Sequence, residues 1–171
     1  MKLLTIIILC LPVLLSGCVG TPDNVKPVNN FELQRYLGKW YEIARLDHRF
    51  ERGLSKISAQ YSLREEGGVK VINRGYSEAE QQWREAEGKA YFVDDPSTAH
   101  LKVSFFGPFY GSYIVFDLDE NYQYAMISGP DTDYLWILSR TSQLEQSTID
   151  RLVNKAKTLG FNTDELIFVE H

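Results

Sequence analysis

An all-β domain, an eight-stranded up-and-down antiparallel β-barrel with one C-terminal α-helix packed outside, is what these 171 residues predict. Three observations carry that expectation. Short apolar-rich segments separated by turn residues run from Gly38 to Arg140. The links between them are short, so neighbours in sequence must pair as neighbours in space. One amphipathic stretch then follows, with Ile149, Leu152, Val153, Ala156 and Leu159 at helical spacing. About eight strands of this kind close into a barrel wide enough for one small ligand.

The first element is not part of the domain. Lys2, the apolar run Leu3 to Leu15 and the small residues before Cys18 describe a secretory signal over residues 1–17. The run is shorter than the ~20 residues that span a bilayer, and Pro12 interrupts it. Leu15-Ser16-Gly17-Cys18 resembles the lipobox of bacterial lipoproteins. That resemblance implies cleavage before Cys18, diacylglycerol on its sulfur and an acyl chain such as palmitate on its amine. Several chains on one residue anchor stably where a single chain does not. Val19, where aspartate would retain a lipoprotein at the inner membrane, implies the outer membrane and a domain facing the periplasm. Residues 18–30, with two prolines and no periodicity, read as the lipidated N-terminus and a tether.

Composition narrows the function classes. Loss of Lys2 leaves 17 basic against 23 acidic residues, a net charge of −6 that disfavours nucleic acid. Of the two cysteines, Cys10 leaves with the signal and Cys18 is acylated, so stability rests on packing rather than a disulfide.

Within residues 31–171, a short helical candidate, 31–36, precedes strands at 39–47, 55–65, 69–78, 83–93, 99–106, 112–119, 122–129 and 134–140. Glu66-Gly67-Gly68, Asp94-Asp95-Pro96-Ser97, Gly107-Pro108, Asp119-Glu120-Asn121 and Gly129-Pro130-Asp131 mark turns. Segments 112–119 and 134–140 are apolar on both faces, so part of the outer wall needs cover. The helix supplies it, starting in a capping-box-like Ser147 and Asp150 pair and stopping at Gly160. Apolar wall beyond the reach of one helix leaves room for a homodimer. Leu166 to Val169 forms a last edge strand.

Three stretches now line up. Gly38-Lys39-Trp40-Tyr41 opens the first strand, Thr132-Asp133-Tyr134 sits before the last barrel strand, and Arg140 ends it. These resemble the three motifs of the lipocalin family, and Gly129 to Arg140 is similar to the bacterial outer-membrane lipoprotein branch. The resemblance covers residues 31–171. It implies a binder of small hydrophobic ligands, in that branch fatty acids and lysophospholipids, stored or transported during envelope maintenance or stress. Trp40 and Arg140 can meet only if the sheet closes, and a guanidinium over an indole is worth about 0.5–2 kcal/mol.

By strand parity the lumen is lined by Trp136 and Leu138, with Ala44, Ala59, Tyr61, Ala90, Phe92, Val103, Phe105, Tyr124 and Met126. Trp136 is the first choice for a ligand contact. Glu42 shares parity with Trp40 and needs a partner inside an apolar barrel, for which Arg140 or a tyrosine is available. Phe106 to Tyr113 reads either as an aromatic rim or as a packed hairpin. No catalytic residue, metal site or cofactor is called for: the three histidines, His48, His100 and His171, have no ligand spacing. Charges expected on the outer face (Arg45, Lys56, Lys102) argue against a transmembrane pore. An envelope enzyme acting on a lipid or isoprenoid, and a pigment or tetrapyrrole binder, are the alternative readings.

Overall fold

The structure, a computed structural model, describes residues 19–171. The expected signal peptide and Cys18, the expected acylation site, lie outside the described residues. A four-residue helix, α1 (Leu33–Tyr36), precedes strands β1 (Gly38–Arg45), β2 (Leu54–Leu63), β3 (Val69–Ser77) and β4 (Gln82–Phe92). Then come β5 (His100–Ser104), β6 (Gly111–Leu118), β7 (Tyr124–Ser128) and β8 (Leu135–Ser139), the helix α2 (Gln146–Thr158) and a short β9 (Ile167–Phe168).

Each strand pairs antiparallel with its successor, and β1 pairs with both β2 and β8, so eight strands close into an up-and-down barrel. Closure leaves no free edge on the ring, the usual site of sheet-to-sheet aggregation. β2 pairs with β1 only from Gly38 to Tyr41 and then departs, with a register shift and Lys56 at φ 52°. β9 takes the vacated place beside Ala44 and Arg45. Its flanks complete the seam: the Val169 amide donates to Ile43 and the Lys56 amide to Glu170.

Two apolar clusters result. The inner one includes Trp40, Tyr61, Val71, Ala90, Leu101, Val115, Ile127 and Leu138. The outer one packs Leu152 and Ala156 of α2 onto Ile43, Ile114, Phe116, Met126, Leu135 and Ile137 of the wall. Lys155 ties the helix to Asp117 at 2.6 Å. This outer wall, which by sequence left room for a homodimer, carries α2, Phe161 and the segment with Val25.

The N-cap lies two residues before the Ser147 that the sequence suggests. Glu145 is the N-cap, and Asp150 accepts from the Gln146 side chain rather than completing a box with Ser147. Its end follows expectation: Gly160, at φ 95°, donates to Lys157, and Phe161 donates to Ala156, the paired bonds of a Schellman turn. No atom would meet a Cβ on Gly160, so only backbone conformation opposes a side chain there. Gly160→Ala should therefore cost about 1 kcal/mol, read as a lowered denaturation midpoint.

Residues 19–30 do not form a free tether. Their carbonyl and amide groups bond to the barrel at Ser112, Val115 and Ala99, and Val25 is buried.

Candidate ligand-binding site

The floor of the barrel is built from the two ends of the sheet. Trp40 is fully buried and donates its indole N–H to the Tyr36 carbonyl at 2.7 Å. The Arg140 guanidinium carbon stands 4.0 Å from the Trp40 ring centroid. Its nitrogens donate to the carbonyls of Arg35 (2.6 Å), Lys39 (3.0 Å) and Tyr122 (3.2 Å). One side chain thus ties together carbonyls from α1, β1 and the β6–β7 turn. Gly38 precedes Trp40 for a physical reason: its φ is 99°, and a Cβ there would stand 3.3 Å from Arg140 Nη1. Neither condition suits a larger residue.

Above the floor the wall is apolar, with small side chains at Ala59, Ala90, Ala99 and Ala125 and larger ones at Phe92, Val103 and Phe105. Three tyrosines cross it, with the Tyr113 hydroxyl 2.7 Å from that of Tyr36 and 2.8 Å from that of Tyr61. Burial pushes all three phenols up, so they stay neutral donors and acceptors at any physiological pH. Trp136, Val103, Phe105 and Tyr113, towards the other end, face this cluster yet are only half-buried. These side chains are therefore reachable from that end rather than sealed in a core.

One polar group interrupts the apolar wall. Glu42 faces inward in alternation with Trp40, and a register shift between Glu42 and Ala44 turns Arg45 inward as well, so the two stand opposite Leu138 and Trp136. Arg45 Nη1 donates to Glu42 Oε1 at 2.9 Å, and Arg45 Nη2 donates to the Glu51 carbonyl at 3.1 Å. The Glu51 carboxylate accepts the Trp136 indole N–H at 3.1 Å and lies 4.0 Å from Arg45 Nε. All three charged residues are buried. Burial and then the Glu51 charge lift the Glu42 carboxyl well above the usual carboxylate range, against the pull of Arg45. Burial also raises Glu51. Two carboxyls facing one guanidinium therefore hold a proton between them more readily than either would in water.

A closed eight-stranded barrel with an Arg–Trp contact at one end agrees with the family comparison. The model of the lipocalin-like domain matches residues 31–171. The chain belongs to the lipocalin family. Outer membrane lipoprotein Blc of Vibrio cholerae is 60% identical over 96% of this chain and 96% of its own length. The protein of that name in Escherichia coli is 54% identical over 87% of this chain and 84% of its own. In fold, insecticyanin from the tobacco hornworm Manduca sexta superposes with a TM-score of 0.69, covering 89% of this chain and 87% of that one, at 24% identity. This lipocalin lies within the outer-membrane lipoprotein branch that the bacterial relatives define.

The mouth of this lipocalin is framed by the loop after β1 and the one before β8. His48 stacks on Tyr134 (5.1 Å, 10°) and on Phe50 (5.1 Å, 10°), and stands 4.7 Å from Trp136. Tyr134 of the Thr132-Asp133-Tyr134 motif is held in its loop by the Gly129 amide, 3.2 Å from its carbonyl. Thr132 and Asp133 stay at the surface of that loop, where the Asp133 amide donates to the Asp131 carboxylate. Burial, then the charge of Arg45, depresses His48 to about 4. Its neutral form belongs to the folded state, so the stability it contributes is complete above the unfolded value near 6.5. That stability is lost as pH falls from 6.5 towards 4. His48→Phe should keep the stack and gain on the parent protein across that window, by about 1–2 kcal/mol after solvent screening. Urea midpoints at pH 7.5 and pH 4.5 measure it; an equal difference at both would overturn the prediction.

Several residues lie elsewhere than their spacing suggests. Ala44, Tyr124 and Met126, expected in the lumen, belong to the outer cluster beneath α2. For Ala44 the cause is the β1 bulge. In β7, Ala125 and Ile127 stand opposite Leu138 and Trp136, and cross-strand partners share a face, which turns Tyr124 and Met126 outward. Arg45, expected outside, is inside for the same reason as Ala44. Glu42 meets Arg45, neither Arg140 nor a tyrosine. Tyr61, Phe92, Phe105, Trp136 and Leu138 line the inner cluster together with Ala59, Ala90 and Val103. Sequence reasoning missed Glu51, Tyr36 and Tyr113. Tyr113 left a signal in its alternation with the strand's outward Ile114, but Glu51 comes from a loop and left none.

Proposed function

We propose that this lipocalin is a membrane-anchored carrier that stores or transports single-chain amphiphiles, fatty acids or lysophospholipids, at the outer membrane. The observation that carries it is the set of inward-facing aromatic and aliphatic side chains that remain half-buried, around a wall of alanines. An acyl chain would lie among Val103, Phe92, Phe105, Tyr61 and Leu138, above the Trp40 floor. The polar end would remain near Trp136, Glu42 and Arg45, on the mouth side. Acylation at Cys18 would place the cup beside its source of ligand.

A binder fits better than an enzyme. His48 is enclosed by three aromatic rings with a buried Nε2 that has no partner, and Glu42 and Glu51 are turned towards Arg45. Nothing in that arrangement sets a base against a nucleophile.

Lipid extraction of the purified full-length protein, with native mass spectrometry, should recover a bound amphiphile. Titration with lysophosphatidylethanolamine should change Trp136 fluorescence. Trp136→Ala should weaken binding about tenfold, or about 1.4 kcal/mol. A protein that neither carries nor takes up any amphiphile would sink the proposal, and a visible absorbance band would favour a pigment instead.

A further inference from the structure

The chain reaches the barrel at its open end. The Gly20 carbonyl accepts from Ser112 Oγ at 2.7 Å, beside Pro130. From there the segment descends the outside of β6. Val25 is buried in the outer cluster, and Val28 donates to Val115 and accepts from Ala99, both at 2.9 Å. The Phe31 amide meets Ser97 at the floor. Twelve residues that could have been a leash are instead a strap running from mouth to floor. Gly20, the anchored point, stands two residues along the sequence from Cys18.

The same end carries a run of exposed aromatic side chains. Phe106 is 80% exposed and Phe109 67%, both in the loop between β5 and β6; Phe50, in the loop between β1 and β2, is 59% exposed. The stacking of His48 on Tyr134 joins the β1–β2 and β7–β8 loops. The strap emerges between the β7–β8 loop and the start of β6. These three loops form one continuous sector of the rim. The turn carrying Glu78 and Glu80 lies across the mouth from it.

The geometry points to a lipid bilayer as the surface that covers this sector, with the barrel standing mouth-down and Phe106, Phe109 and Phe50 in the interfacial layer. The inference rests on the acylation of Cys18 proposed above. A short, strapped connection does not let the barrel turn over, because acyl chains on residue 18 must enter the membrane at the rim. Aromatic side chains suit the boundary between headgroups and acyl chains. The acidic turn is then tilted away from the bilayer. Amphiphiles would pass between membrane and cup without crossing open water.

The test uses the full-length protein in vesicles of phosphatidylethanolamine and phosphatidylglycerol. With Cys18 acylated, the mature chain offers no other thiol. Single substitutions Phe109→Cys, Phe50→Cys and, on the floor loop, Glu65→Cys therefore each carry one nitroxide label. Labels at 109 and 50 should be several-fold more accessible to oxygen than to a water-soluble relaxant, and the label at 65 should show the reverse. Two rim positions on separate loops guard against one variant failing to fold. Acylated protein with both rim labels as water-exposed as position 65 would overturn the orientation alone. A mature N-terminus whose mass lacks acyl chains would overturn the anchor, and this inference with it.

Discussion

Trp40→Ala should lower stability by about 4 kcal/mol, the loss expected for emptying a fully buried indole site. Trp40 has no solvent exposure, so its removal leaves a cavity at the floor rather than a surface change. The substitution also strands the Tyr36 carbonyl and removes the ring beneath Arg140. Arg140→Ala should cost about 2 kcal/mol, less because water can replace some of its donors at a half-buried site. The informative quantity is the coupling. If the cation–π contact links the two ends of the sheet, the double variant should be less destabilised than the sum by about 0.5–2 kcal/mol. Arg140→Lys should not rescue, since an ammonium cannot span the carbonyls of Arg35, Lys39 and Tyr122 from one position. Urea denaturation of the four proteins measures all of this. Additive effects, or a Trp40→Ala loss under about 1 kcal/mol, would show that closure is held elsewhere.

Arg45→Met has the second-largest expected effect, and its pH dependence identifies the cause. Breaking a buried ion pair by removing one partner typically costs about 3–5 kcal/mol, because the remaining charge is left uncompensated. Here two carboxyls are left, Glu42 and Glu51, both already raised by burial and both then lacking the guanidinium that held them down. A carboxyl raised in the folded state contributes stability that is complete below its unfolded value, near 4.3. That contribution is lost as pH rises through the folded value. The deficit of Arg45→Met should therefore be small at pH 5 and near its full size at pH 8. Adding Glu42→Gln and Glu51→Gln should flatten the profile by leaving no group to titrate. A deficit equal at both pH values would mean that Arg45 matters for packing only.

The inner site was partly legible in the sequence. Spacing identified Trp136 and Leu138 from their parity with Arg140, and the β8 ladder is regular from Leu135 to Ser139. Parity failed in β1 because one extra residue at the bulge reverses every side chain after it. It failed in β7 because the register of a strand depends on its partner, which a single strand does not specify. Glu51 was invisible for a different reason. A loop residue has no periodicity, and its position over Trp136 depends on how the loop folds across the mouth.

Local chemistry therefore determined most of the architecture. Turn residues set the strand boundaries, their brevity forced sequential pairing, and the stripe from Ile149 to Leu159 required a helix against the outer wall. Trp40 and Arg140, 100 residues apart in the chain, gave the closure between them. Tertiary structure alone decided which way Ala44, Arg45 and Met126 face, because bulges and register are properties of two strands rather than one. It also decided that residues 19–30 lie along the barrel. Their bonds run to Ser112, Val115 and Ala99, partners that no local pattern announces. That strap, more than any motif, fixes the end of the barrel at which the chain arrives.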